Sequence, residues 1–275
     1  MSRKSVSIIL IFSLFIIGAI SWDSVFAQDT NITSPVQVHK LIVNRGLASF
    51  NEKGQIIIDS SAIELGVSEA LFNEYLVSID KLNYAVEKEV MSFDAEFQLL
   101  VMTHEEVKKK LYRQAVQKPQ NILSYDDFFC PMQIESGHPS VNVKLLVTAN
   151  RNDLENIFEA ALTAQTFGGG DAFWFAVGYW VGKVQPGGDW DYKVQPYYRP
   201  WYKKFECYFF TSGFEVKDSA YIGNYNYGFT GQLLFSKDML LLGGDVVGLV
   251  TGRGPDGEED KIPVRRGFDD ARNYR

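Results

Sequence analysis

The longest apolar run, Ile8 to Ile20, spans 13 residues and constrains the fold of everything after it. A bilayer-spanning helix needs roughly 18 or more such residues. No later segment is long and apolar enough either, and the 46% hydrophobic and 22% charged composition is that of an ordinary globular chain. Arg3 and Lys4 precede the run, and Val25-Phe26-Ala27 sets small residues at the −3 and −1 positions of a cleavage site. This is the layout of a secretory signal peptide cut after Ala27. A secreted or periplasmic protein is expected, with no stable membrane span after cleavage. The 248 residues that follow suffice for one large domain or two small ones.

Charge is uneven along those residues. They carry 25 Lys/Arg and 33 Asp/Glu, of which 13 and 13 fall in residues 181–275. The acidic excess therefore lies wholly in 28–180, which argues against a broad nucleic-acid surface there. Lys203-Lys204 and Arg265-Arg266 are small basic clusters that suit either phosphate or solvent. Cys130 and Cys207 are an even pair, and export favours a disulfide between them. Two buried free thiols are the alternative.

Periodicity outlines an α+β chain. Residues 55–58 read as a strand. Ala70, Leu71, Tyr75, Leu76, Ile79 and Leu82 have the spacing of an amphipathic helix, with Ser68 as its cap. Phe93 to Met102 reads as a strand and His104 to Val116 as a charged helix. Residues 117–140, with Pro119, Pro131 and Pro139, read as a long loop and the best domain boundary. It divides an N-terminal region of unknown role, 28–140, from a C-terminal domain, 141–275. There, 141–148 suits a strand or a helix entry, and Asn152 or Asp153 caps a helix through Leu162. The run after Gly170 suits a buried helix, with a strand as the alternative. Residues 197–216 resemble one or two strands around a turn at Ser212-Gly213. Residues 229–250 look helical, although LLLGGDVVGLV also reads as a β-run.

The chemistry-bearing strings come late: GGDWDYK at 187–193, NYNYG at 224–228 and the acidic loop GRGPDGEED at 252–260. Gly252, Gly254 and Gly257 satisfy G-x-G-x-x-G, but Pro255 lies inside and an acidic run follows, which would repel a pyrophosphate. The three histidines are His39, His104 and His138. A histidine-based nuclease or Ser-His-Asp hydrolase built wholly from the C-terminal part is therefore excluded. No zinc spacing and no cofactor fingerprint is present, so no metal or cofactor is expected.

Acid–base work then falls to carboxylates, lysine and tyrosine. On an extended strand, Asp189, Asp191 and Lys193 would share one face, with Asp191 as base and Lys193 stabilising developing negative charge. A surface Asp–Lys pair is the plainer alternative. Asn224 and Asn226 repeat the spacing between Tyr225 and Tyr227, and amides on one face would suit a sugar or a base edge. Asp256 and Asp260 form a second acidic cluster.

The order of these strings resembles the bacterial polymorphic toxin type 44 domain. The matching positions are Trp174-Phe175, Gly188 to Lys193, Asn224 to Gly228 with Thr230-Gly231, and Gly257 to Gly267, within residues 150–272. The stretch between Lys193 and Asn224 is longer and more aromatic than in that family, and the closing loop is shorter. The resemblance implies a mainly helical toxin or effector domain, a hydrolase acting on RNA, and a cognate immunity protein as partner. Asp191, Lys193, Asn226, Tyr227, Asp256 and Asp260 are the catalytic candidates. Asp189, Trp190, Tyr192 and Asn224 are the substrate-binding candidates. Export alone delivers the chain to peptidoglycan, so an envelope enzyme cutting glycan strands, with Asp191 and Asp256 or Asp260 as its acid pair, is a second expectation. A non-catalytic secreted binding protein is a third.

Overall fold

The chain was examined as a computed structural model, which describes residues 32–117, 137–250 and 255–274, of which 247–250 as backbone alone. The export segment, Cys130, Gly252 and Gly254, and most of the expected 117–140 loop lie outside the described residues.

Ser34 opens helix α1, Pro35–Asn44, with its hydroxyl accepting the Gln37 N–H and proline at the first helical position, where the missing donor costs nothing. Strands β1, Ala48–Phe50, and β2, Ile56–Ile58, pair antiparallel. A one-turn helix α2, Ala62–Leu65, leads to α3, Glu69–Glu87. The Ser68 hydroxyl caps α3 by accepting the Leu71 N–H at 3.2 Å, and Phe72, Tyr75, Ile79 and Leu82 form its buried stripe. The strand expected over Phe93–Met102 is instead a hairpin of β3, Met91–Phe93, and β4, Leu99–Val101. The Asp94 carboxylate makes the turn by accepting the N–H groups of Glu96 and Gln98 at 3.0 and 2.8 Å. Helix α4, His104–Gln117, follows a reciprocal cap between Thr103 and Glu106.

Strand β5, Ser140–Val141, is brief. Asn142 then caps α5, Val143–Thr166, through the Leu145 N–H at 3.0 Å. The cap expected at Asn152 or Asp153 is thus ten residues early in the chain, and those two residues are mid-helix. Helix α6, Ala172–Val184, is capped by Asp171, so the aromatic run is helical. Strands β6, Lys204–Phe209, and β7, Gly213–Asp218, form the expected hairpin, and β5 joins β6 in parallel. Residues 197–203 are turns that precede it. Asp218 caps α7, Ser219–Gly231, by accepting the Tyr221 N–H. After a break, α8 runs Lys237–Val250, which decides for helix over the β-run. Gly257 opens α9, Glu258–Asn273. The acidic run expected in a loop is therefore the first turn of a helix, where the dipole favours it.

The fold is α+β: nine helices and small sheets among the described residues, with a helical C-terminal part around one hairpin. Residues Ser34–Arg275 form one compact unit. The division expected near residue 140 does not divide the packing, because α3 lies on α5 and α4 on α6. No helix of the described residues is long and apolar enough to cross a membrane.

Helices α7 and α9 approach most closely. A Cβ on Gly228 would stand 2.1 Å from the Val264 carbonyl oxygen, and one on Gly267 would stand 2.1 Å from that of Tyr225. Only glycine fits at either position. The core beneath is aromatic, with Phe205, Phe209, Tyr225 and Phe229 fully buried beside Leu146 and Ile222.

Candidate functional site

The string at 187–193 is not extended. Gly187 has φ +83°, and successive turns bond Trp190 N–H to the Lys183 carbonyl and Asp191 N–H to the Gly188 carbonyl. The shared face expected for Asp189, Asp191 and Lys193 therefore does not exist, and the three side chains part. Asp189 meets the Lys183 ammonium at 2.8 Å. Asp191 is buried, accepting the Gly187 N–H on Oδ2 at 2.9 Å while Oδ1 has no hydrogen-bond partner among the described residues. Lys193 lies along Gly223 and reaches the Asn224 amide oxygen at 3.4 Å.

Asp189, Trp190 and Tyr192 line a polar cleft of about 370 Å³ closed by α3 and α5. Its centre is Asp153, in the middle of α5. The carboxylate accepts O–H bonds from Tyr84 at 2.5 Å and Tyr179 at 2.6 Å, and the Lys88 ammonium lies 3.3 Å away. Burial first, and the Asp153 charge second, push both phenols up, so they stay protonated donors. One turn earlier, the buried Asn150 amide donates to the Tyr192 oxygen at 2.7 Å and to the Asn226 amide oxygen at 2.8 Å. Asn152 and Asn156 complete the α5 wall. The Lys183 ammonium sits 5.5 Å from the Tyr179 ring centre and 6.0 Å from that of Trp190.

Helix α7 disposes of the second string differently from the expected alternation. On a helix, residues two apart point to different sides. Asn226 is fully buried against Asn150, and its own amide nitrogen has no hydrogen-bond partner among the described residues. Asn224 turns to the other side and donates to Asp260 at 2.8 Å. Lys193, Asn224 and Asp260 thus form one chain of contacts. Tyr227 donates to the Leu240 carbonyl, and its ring packs against Trp180 at 4.8 Å with a tilt of 41°. Burial, then the nearby Asp256 charge, raises its phenol. The Asp256 N–H donates to Asp245 at 3.0 Å, and Lys261 pairs with the same oxygen at 2.9 Å.

The ten candidates therefore divide three ways. Asp189, Trp190 and Tyr192 line the cleft; Lys193, Asn224 and Asp260 are joined at a second place, with Asp256 and Tyr227 against α8; Asp191 and Asn226 are internal. Cys207 is a buried free thiol whose burial pushes its pKa up to about 12. Sequence reasoning does not mark Tyr84, Lys88, Asn150 or Lys183, and it marks Asp153 only as a helix cap. One signal was present: Leu146, Asn150, Asp153 and Ile157 share a helix face, so two polar residues interrupt an apolar stripe.

No family model, curated protein or solved structure with which the chain was compared matches it.

Proposed function

We propose that the protein is an exported effector-type hydrolase whose cleft takes a glycan strand, as in peptidoglycan. The observation that carries this reading is the balance of charge in the cleft. Its two ammonium groups, Lys88 and Lys183, already face Asp153 and Asp189. The other polar groups are the Tyr84 phenol and the amides of Asn150, Asn152 and Asn156. Such a lining suits hydroxyl groups. RNA would bring a negative charge with every nucleotide and would need unmatched cations. Asp153 and Asp189 are the two carboxylates of the lining, the residue type on which glycoside hydrolysis relies.

The RNA reading implied by the type 44 resemblance has its own support. Among the described residues Lys193 makes no ion pair, and its contact is the neutral Asn224 amide. Its charge is available to a phosphate.

Purified chain beginning at Gln28 should be incubated with peptidoglycan sacculi and, separately, with RNA. The glycan reading expects soluble glycan fragments, lost in Asp153→Asn and Asp189→Asn and kept in Lys193→Ala. RNA cleavage abolished by Lys193→Ala would replace it with the nuclease reading. Cleavage of neither substrate, with sacculi sedimenting the protein, would make it a binding protein.

A further inference from the structure

A second surface is independent of the cleft. Residues 197–204 read YYRPWYKK, with three cations and no acid in a chain of net charge −7. Trp201 and Tyr202 are each 60% exposed. Large aromatic side chains side by side in water mark a contact surface.

The turn that displays them is held rigidly from beneath. The Lys203 N–H donates to the Pro200 carbonyl at 2.8 Å, and the first two N–H groups of α7, on Ser219 and Ala220, donate to the carbonyls of Lys203 and Trp201 at 3.1 and 3.0 Å. The buried Ser219 hydroxyl donates to the Tyr198 carbonyl. The Lys203 ammonium donates to the Tyr197 carbonyl at 2.6 Å. A rigid turn loses little entropy when it engages a partner.

Lys203 is committed to the turn itself, its ammonium lying over the Tyr197 and Phe205 rings at 4.5 and 5.0 Å. Among the described residues Arg199 and Lys204 make no ion pair. Asp218 stands opposite Lys204 in the hairpin register, but its carboxylate caps α7. The two exposed rings meet edge to face at 87°, so they offer no continuous platform on which successive bases would stack. An indole and a phenol beside guanidinium and ammonium groups instead match the headgroup layer of a membrane. There, rings of this kind settle with their polar atoms wet, and cations meet anionic lipid.

We infer that the 199–204 turn is a peripheral membrane anchor that seats Trp201 and Tyr202 in the headgroup layer of anionic lipid.

The test uses chain beginning at Gln28, which keeps the whole compact unit and lacks the apolar run. It should co-sediment with phosphatidylglycerol-rich vesicles and not with phosphatidylcholine vesicles. Trp201→Ala with Tyr202→Ala should weaken that binding roughly tenfold or more. Arg199→Gln and Lys204→Gln should each weaken it about fivefold at low salt, and added salt should erase the difference. Both aromatic side chains are exposed, so unchanged thermal melts would certify the variants as folded. Failure to bind anionic vesicles, or binding that the double aromatic variant leaves intact, overturns the proposal. Binding of single-stranded RNA that depends on the same four residues, without vesicle binding, reassigns the surface to nucleic acid.

Discussion

The strings GGDWDYK and NYNYG both set polar side chains between glycine and aromatics, and they have opposite fates. The first folds as turns after α6 and turns Asp189, Trp190 and Tyr192 to a cleft. The second lies inside α7, where Tyr225, Asn226 and Gly228 face the core. Glycine serves both. In the turns, Gly187 supplies a positive φ, and Gly188 lets the Lys183 carbonyl approach. In the helix, Gly228 supplies missing volume, so that α9 can close on α7. Strings rich in glycine, aromatics and short polar side chains are therefore ambiguous: such residues build a ligand surface or a close helix crossing, depending on what packs against them.

The comparison breaks most visibly at the crossing. Gly228→Ala should cost about 3 kcal/mol, because its methyl group would overlap a carbonyl oxygen that belongs to a helix backbone. In a unit of this size that lowers the melting temperature by roughly 6–12 °C, without removing a single group from the cleft. A melt shifted by less than a degree would show that the helices separate freely. Asp153→Ala should cost about 2 kcal/mol in urea unfolding, since Tyr84 and Tyr179 would each lose an acceptor. Unlike the glycine change, it should also abolish ligand binding in the cleft.

Acid should act on the crossing next. Burial alone would raise Glu215, but hydrogen bonds from Arg266, Ser212 and Lys217 outweigh it and hold the carboxyl down to about 2. Arg266 is on α9 and stacks on Phe209 at 4.4 Å. A depressed carboxyl stabilises the folded state above its ordinary value of 4.5 and loses that effect as pH falls toward 2. The expected loss is on the order of 1 kcal/mol after allowance for solvent screening. Glu215→Gln should flatten the melt-versus-pH curve between those limits. An unchanged curve would mean that the contact with Arg266 contributes nothing. The smallest effect is expected at the second cluster. Lys193→Ala removes one long amide contact and should shift stability by less than about 0.5 kcal/mol, so any loss of RNA cleavage would be chemical rather than structural.

Local signals were legible wherever neighbours in sequence settle the matter. Ser68, with Leu71 beginning an apolar stripe, announces α3, and Ser212-Gly213 announces the hairpin turn. The strand expected over Phe93–Met102 failed because Asp94 folds the backbone into a turn through its own side chain, a bond that hydrophobic pattern does not register. The cap expected at Asn152 or Asp153 failed because Asn142 caps the helix ten residues earlier and Asp153 serves tertiary partners from mid-helix. A polar residue on a helix looks like a cap when the groups that satisfy it lie dozens of residues away.

By itself, the sequence determined the period of its helices, the hairpin, the mixed α+β class and the want of histidine after residue 138. Those follow from spacing, turn residues and composition. Only the tertiary structure decided that α3 from the N-terminal part and α5 from the C-terminal part close one cleft around Asp153, that Asp191 and Asn226 turn inward, and that Trp201 and Tyr202 stay outside. A side chain's role depends on which groups lie within about 3 Å to hydrogen-bond with it. For Asp153 those are Tyr84 and Tyr179, which are remote in the chain and meet only when the helices pack.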